Sequence, residues 1–338
     1  MRGRPRLMMG MAGAAAVTLA LVIVAVVWPS SASSQRDAGA LGAARPVVGA
    51  PVATFDSDLG DPFLLVVAHP ASAAGTRYLL FGTDDPPRRV PTAFSDDLQH
   101  WKQGGDALPD LPSWALPDPD DSHTWAPAVV AIGRRYLMYV SVYDAAIRRP
   151  CLLAATATTP IGPFRDAIGR PLVCQSSLGG SIDPSVVTAT DGSRTLLWRS
   201  AGATTLFSQR LRPDGLALVG QPHVLLRPDR EWQHGVIEEP AAIPAPRGGW
   251  WLFYSGGAYN QAGYATGVAF CPTLDGPCSD TDNGPLLDAL PGQLSNPASL
   301  ETFHDLHGRL YAVYDTWSRP ARNGIFFCCR TVSIAPLR

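Results

Sequence analysis

Hydrophobic and polar positions follow one short pattern five times along the chain. A Gly or basic residue is followed by an aromatic-rich run in which hydrophobic positions alternate, and then by Ser, Thr, Asp or Gly. The copies read RYLLFGTDD from Arg77, RYLMYVSVYD from Arg135, RTLLWRSAG from Arg194, WWLFYSGGAYN from Trp250 and RLYAVYDTWS from Arg309. Their starts lie 58, 59, 56 and 59 residues apart. A second pattern precedes each copy: DPFLLVV, APAVV, DPSVV, EPAAI and NPASL, with prolines at 62, 127, 184, 240 and 297, separated by 65, 57, 56 and 57 residues. Such runs read as strands, and each unit has room for about four short ones.

Two patterns on one period predict an all-β chain folded as a five-bladed β-propeller. Radial repetition protects sheet edges and buries the faces between neighbouring blades. The Pro-bearing segment comes first in each unit and is expected to line the central channel, since proline is tolerated where a strand begins. A β-sandwich with accidental periodicity is the competing architecture. Gly and Pro, 32 of each, mark many turns and few long helices, in keeping with either.

The first residues carry an address. Arg2, Arg4 and Arg6 precede a stretch that is uncharged from Leu7 to Gln35 and apolar as far as Trp28, and Ser30 to Ala32 offer small residues to a signal peptidase. Residues 1–32 are read as a signal peptide or, because the apolar stretch approaches the length of about 20 residues that spans a bilayer, as an N-terminal membrane anchor. Residues 33–46, rich in Ala, Gly and Ser, read as a flexible linker, and the propeller as 47–338. The protein is expected outside the cell, free or tethered to the outer face of the membrane, and as a monomer. A net charge of −2, from 27 basic and 29 acidic residues, gives no electrostatic reason to expect nucleic acid.

Six cysteines in an exported chain suggest disulfides. Cys271 and Cys278 flank the turn PTLDGP, and Cys151 and Cys174 flank TTPIGPF, so these two pairs are locally plausible. Cys328 and Cys329 are adjacent on a strand-like run and are expected to point to opposite faces, where a mutual bond strains the backbone. Buried free thiols are the alternative for that pair. Metal ligation is not expected, because no Cys-x-x-Cys or His-x-x-x-His spacing is present, and no cofactor is implied.

The residue before each repeat proline is Asp61, Ala126, Asp183, Glu239 and Asn296, with Glu238 one residue further back. Three units therefore put a carboxylate at the start of the channel strand. A carboxylate there is costly unless it is paired or functional, and like charges converging push their pKa values apart. A lone Asp-Pro is a turn residue; three in one register suggest chemistry. Two carboxyls with a supporting third suit hydrolysis of a glycosidic bond, in which one acid protonates the leaving oxygen and an ionised partner activates water.

DPFLLVV, WAPAVV with RRYLMYVSVYD, IDPSVV, and IEEPAAI followed by WWLFYSGGAYN resemble the successive blades of glycoside hydrolase family 43, over roughly residues 50 to 320. FSDDLQHWKQGGDAL, TTPIGPF and PTLDGPC resemble further family segments. The resemblance implies a five-bladed propeller enzyme that inverts configuration at arabinofuranosides or xylosides of a polysaccharide or oligosaccharide. It implies Asp61 as general base, Asp183 as the residue that tunes the acid, and Glu238, two residues before a proline, as general acid. Glu239 stands where the family usually has a small residue. Strand alternation is expected to turn it away from Glu238, leaving it to raise the acid's pKa or reach a substrate hydroxyl.

In the fifth unit the family often carries an ion-binding histidine, whereas this chain offers Ser295, Asn296 and Ser299; His304 and His307 read as an exposed turn. Sugar stacking needs flat apolar surfaces with polar rims, which makes Trp125 the first candidate, with His123, Trp232 and Tyr259 beside it. Trp101 is expected to pack structurally. A non-catalytic carbohydrate-binding propeller is the second reading; the presence of all three carboxylates counts against it. A sucrose-active propeller would carry an NDPNG-like motif where this chain has LGDPF. Neither Gly-x-Ser-x-Gly nor His-Glu-x-x-His occurs, which sets aside those serine and zinc hydrolases.

Overall fold

The repeat runs are apolar because both faces of each blade are covered. Successive side chains of a strand point to opposite faces. In the first repeat Leu79 and Phe81 pack against Met138, Val140 and Leu153 of the next unit, while Tyr78 and Leu80 pack against Val313, Val332 and Ile334 of the last. The second repeat alternates likewise, with Leu137 and Tyr139 meeting Leu196 and Trp198. Five such cores, one at each blade junction, form the hydrophobic interior. Burying each large apolar side chain contributes about 1.5–3 kcal/mol.

The computed structural model describes residues 44–67, 77–116, 124–289, 295–317 and 329–338. The leader read over 1–32, most of the linker, His123 and Cys328 lie outside them. Five antiparallel four-stranded sheets make the propeller. A short strand β1 (Ala53–Phe55) comes first. The first blade is β2 (Phe63–Val66), β3 (Tyr78–Phe81), β4 (Pro91–Ser95) and β5 (Lys102–Asp106). The second is β6 (Thr124–Ile132), β7 (Arg135–Asp144), β8 (Arg149–Ala157) and β9 (Arg165–Asp166). The third is β10 (Ser181–Thr188), β11 (Arg194–Ser200), β12 (Leu206–Leu211) and β13 (Leu218–Leu226), and the fourth is β14 (Ile237–Pro244), β15 (Trp250–Gly256), β16 (Ala265–Cys271) and β17 (Ser279–Asp280). The Pro-bearing strand is the inner one in each, and these inner strands meet one another around the axis.

The fifth blade differs. The end of the chain supplies β18 (Ser295–His304), β19 (Leu310–Trp317) and β20 (Arg330–Pro336), and β1 pairs with β20 as the outer strand. Beyond that pairing, Val47 and Arg338 exchange backbone hydrogen bonds of 2.8 and 3.0 Å. The ring is thus closed by strands from both ends of the described chain, which the sequence pattern did not indicate.

Cys151 bonds Cys174, and Cys271 bonds Cys278, as expected. Cys329 is disulfide-bonded as well, rather than free. Trp101 packs on Phe55 with its ring nitrogen donating to the Leu98 carbonyl at 2.9 Å, and His304 and His307 are exposed at the β18–β19 turn.

Candidate active site

A proline disfavours right-handed helical geometry in its predecessor. At the repeat prolines the preceding residue turns left-handed instead: φ is 50° at Asp61, 48° at Ala126, 56° at Asp183 and 54° at Glu239. For side chains other than Gly this costs about 1–3 kcal/mol unless surrounding contacts impose it. Across the same step the inner strand slips register against its neighbour, between Trp125 and Ala128, Ile182 and Ser185, and Glu238 and Ala241. Each slip is a β-bulge, a device that re-aims a side chain.

The fifth blade corrects the sequence comparison. Asn296 precedes its proline with φ 57°, but β18 slips twice, and a second left-handed residue, Ser299 (φ 56°), takes the structural place of Asp61, Asp183 and Glu239. Glu301 then lies opposite Val313, as Ser185 lies opposite Leu197. Asn296 is buried, with its amide donating to the Gln261 carbonyl at 2.5 Å. Each slip inserts one residue, so β18 carries one bulge more than the other inner strands, and the matching residue falls three places after Asn296.

The bulge N–H groups are held by the preceding blade. Ala126 N–H donates to Thr83 Oγ1 at 3.0 Å, Asp183 N–H to Ser141 Oγ at 3.1 Å, Ser299 N–H to Ser255 Oγ at 2.9 Å, and Asp61 N–H to Asp315 Oδ2 at 2.9 Å. The acceptors occupy one position of the repeat: Thr83, Ser141, Ser255 and Asp315. In the third blade that position is Arg199, which has no acceptor. Glu239 N–H turns to Asp183 Oδ2 at 3.4 Å instead, and Arg199 Nη1 pairs with Glu238 Oε2 at 3.0 Å.

Above this ring opens a cavity of about 410 Å³ lined by Asp61, Asp183, Glu238, Glu239, Arg199 and Arg330, with Trp125, Ile182 and Tyr259 among its walls. Trp125 is braced edge-on by Tyr143 at 5.5 Å, and Tyr259 is 54% exposed. Trp232 does not line the cavity; it stacks on Tyr254 at 5.9 Å in the core between the third and fourth blades. A packed indole there explains why Gly256 is bare, since a Cβ would meet Trp232 at 2.4 Å.

The carboxyls differ in their surroundings. Asp61 accepts from Arg330 Nη1 at 2.6 Å, from Ser299 Oγ at 3.2 Å and from the Thr83 hydroxyl. Burial pushes its pKa up, but the Arg330 charge and these hydrogen bonds outweigh it and hold Asp61 below the usual range. Asp183 is pushed up to about 8, by burial first and then by the Glu238 charge, against Arg199. Glu238 is raised, chiefly by burial, with Arg199 and the Tyr264 hydroxyl opposing. One group is held ionised and the other is biased towards its acid form.

Glu238 and Glu239 do not point apart. Tyr264 Oη lies 2.8 Å from Glu238 Oε1 and 2.9 Å from Glu239 Oε2. The bulge and the left-handed turn at Glu239 override strand alternation. Glu239 also accepts from Ser255 Oγ at 2.8 Å, and its carboxyl lines the cavity together with that of Asp61.

Arg199, Arg330 and Tyr264 were not singled out from the sequence. Arg199 was accessible as the one basic residue in a column of acceptors. Arg330 lies on the outer-side strand β20, outside both repeat patterns. No group of three or more His, Cys, Asp or Glu side chains suited to a metal occurs among the described residues.

The family model for glycosyl hydrolases family 43 matches residues 59–338. The chain belongs to that family. This family-43 chain is therefore a glycosidase, and its carbohydrate substrate is a polysaccharide or oligosaccharide. Solved structures share its fold. A thermostable family-43 glycoside hydrolase aligns with a TM-score of 0.71 and 23% identity over 85% of this chain and 91% of its own. An endo-1,4-β-xylanase from Bacteroides thetaiotaomicron gives 0.67 and 23%, over 84% and 91%. An endo-arabinase from the same organism gives 0.64 and 20%, over 83% and 94%.

Proposed function

We propose that this family-43 glycosidase cleaves arabinofuranosyl or xylosyl linkages by an inverting mechanism, with Asp61 as base, Glu238 as acid and Asp183 tuning Glu238. The observation that carries the reading is the convergence of these three carboxyls, from three blades, on one cavity with an aromatic wall. Asp61, kept ionised by Arg330, suits a base that takes a proton from water. Glu238, raised by burial, suits an acid that protonates the leaving oxygen.

Glu239 fits the acid's role less well. An inverting pair must stand about 6.5–9.5 Å apart to admit water and sugar. Glu239 is tied to Asp61 through Ser255 and Ser299 and shares with it an axial void of only about 30 Å³, a poor fit to that spacing. Trp125 and Tyr259 supply surfaces for the sugar ring. The arabinose-or-xylose assignment is supported by the names of the endo-1,4-β-xylanase and endo-arabinase with which the chain shares its fold.

Residues 1–32 act as an export leader or anchor in this reading and 47–338 as the catalytic propeller, working outside the cell; the disulfides Cys151–Cys174 and Cys271–Cys278 suit an oxidising compartment. The test is sugar release by purified residues 33–338 from arabinan, arabinoxylan, xylan and chromogenic arabinofuranosides and xylosides, beside Glu238→Gln. Release abolished in the variant supports the reading. Release from none of them, with binding retained, would replace it by a carbohydrate-binding propeller.

A further inference from the structure

Glu239 sits where the ring of bulge contacts breaks, and its placement is over-determined. Its backbone is left-handed at φ 54°. One carboxyl oxygen takes hydrogen bonds from Ser255 Oγ and Tyr264 Oη at 2.8 and 2.9 Å. Ser255 accepts in turn from Ser299 N–H at 2.9 Å, and Ser299 Oγ donates to Asp61 at 3.2 Å. Glu239 and Asp61 thus stand at the two ends of one hydrogen-bonded circuit, with their carboxyls lining the same cavity. Both carboxyls also face the same small void of about 30 Å³ on the axis.

A hydrogen bond between two carboxyls requires a proton on one of them. Arg330 settles which. It contacts Asp61 at 2.6 Å and Asp315 at 3.3 Å, so the cation sits on Asp61's side of the pair. Glu239 instead faces carboxyls: Glu238 on its own strand, Asp183 on β10 and Asp61 before β2, with Glu301 on β18 lining the same void. The Tyr264 phenol is a further titratable neighbour, with Arg330 at longer range and Arg199, paired to Glu238, in the same cavity wall. Burial and then the charges of Asp61, Glu238 and Asp183 raise Glu239 well above the ordinary carboxyl range.

We propose that Glu239 is a positioning residue: a neutral carboxyl that donates a hydrogen bond to Asp61, fixing that carboxylate's orientation and favouring its ionised form without touching the sugar. The inference rests on Asp61 being the base. A buried neutral acid used as a hydrogen-bond donor is a known device of active sites. Here it stands in for the small residue the family usually has at this place.

The test compares Glu239→Gln and Glu239→Ala with the wild type in two measurements. In the pH profile of kcat/KM, Glu239→Ala loses the donor, so Asp61 becomes a weaker acid. The acidic limb moves to higher pH and kcat falls by about tenfold, with KM within about twofold. Glu239→Gln keeps a donor on its amide and restores the limb, with kcat down by no more than about threefold. A limb that moves to lower pH in Glu239→Ala would mean a negative charge had been removed, and an unmoved limb with raised KM would mean a substrate contact; either overturns the proposal. So does a loss in Glu239→Gln greater than in Glu238→Gln, which would make Glu239 the acid.

The second measurement needs no substrate. The infrared difference spectrum at pH 7 between wild type and Glu239→Gln is expected to lose one protonated-carboxyl band, and Asp61→Asn to shift it. An unchanged band overturns the proposal whatever the activity. A band lost in a chain that hydrolyses no glycoside supports the pair and refutes Asp61 as base, so the two readings fail separately.

Discussion

Arg330 and Asp61 form a close charged contact in the cavity wall, 2.6 Å from Nη1 to Oδ1, and the same nitrogen reaches Asp315 at 3.3 Å. One buried cation therefore serves two carboxylates from opposite sides of the ring's closure. Asp315 is pushed up to about 7, by burial first and against Arg330.

Arg330→Met removes that cation. Asp61 then titrates higher, so the acidic limb of kcat/KM moves up in pH, and kcat/KM at neutral pH falls by about 10²-fold or more. Leaving two buried carboxylates without their partner also destabilises the fold by about 3–5 kcal/mol. The sign with pH follows from Asp61: its depressed pKa contributes stability above the unfolded value that is lost as pH falls. The stability gap between wild type and variant is accordingly largest near neutrality and shrinks in acid, measured by denaturant unfolding across pH.

Asp61→Asn, Asp183→Asn and Glu238→Gln each lose most hydrolysis, by about 10²–10⁴-fold, while unfolding as cooperatively as the wild type. Equal activity in all three would sink the assignment. Proton NMR of the first-formed sugar reports its anomeric configuration, which is expected to be inverted.

Arg199→Met frees Glu238 from its ion pair. Arg199 favours the ionised glutamate, so its loss raises the Glu238 pKa further and keeps the acid form to higher pH. The basic limb of the profile moves up. A basic limb that stays in place would show that Glu238 is not the group titrating there.

Glu301 is a carboxyl pushed up to about 7 by burial, with the Ser185 hydroxyl and Thr302 N–H as opposing contacts. A carboxyl whose folded pKa exceeds its unfolded one withdraws stability as pH rises from the unfolded value through the folded one. Glu301→Gln is thus expected to raise the melting temperature above pH 7 and to leave it unchanged below about pH 4. No gain at alkaline pH would refute the buried charge.

The blades were legible in the sequence because burial on both faces forces the same strand to recur, and the carboxylates because they share a register with the prolines. What was not legible follows from backbone geometry. Alternation separates Glu238 from Glu239 on a regular strand, and the left-handed turn at Glu239 cancels it. Matching by proline chose Asn296, whereas the second slip in β18 gives its place to Ser299. Strand β1 is three residues long and has no pattern of its own. Trp232 looked accessible from its nearness to Glu238 in sequence, yet its ring turns into the blade junction.

The closure of the ring also sets an order of events in time. Asp61 leaves the ribosome first among the proposed catalytic carboxylates, but Arg330, its counter-charge, follows 269 residues later, and Asp315 254 residues later. Strand β1 likewise waits for β20. Contacts so distant along the chain form late, after the inner blades have had the chance to assemble. A nascent or truncated copy ending before Arg330 would thus carry Asp61 without the cation that keeps it ionised, and hydrolysis would begin only when the last strand is laid down.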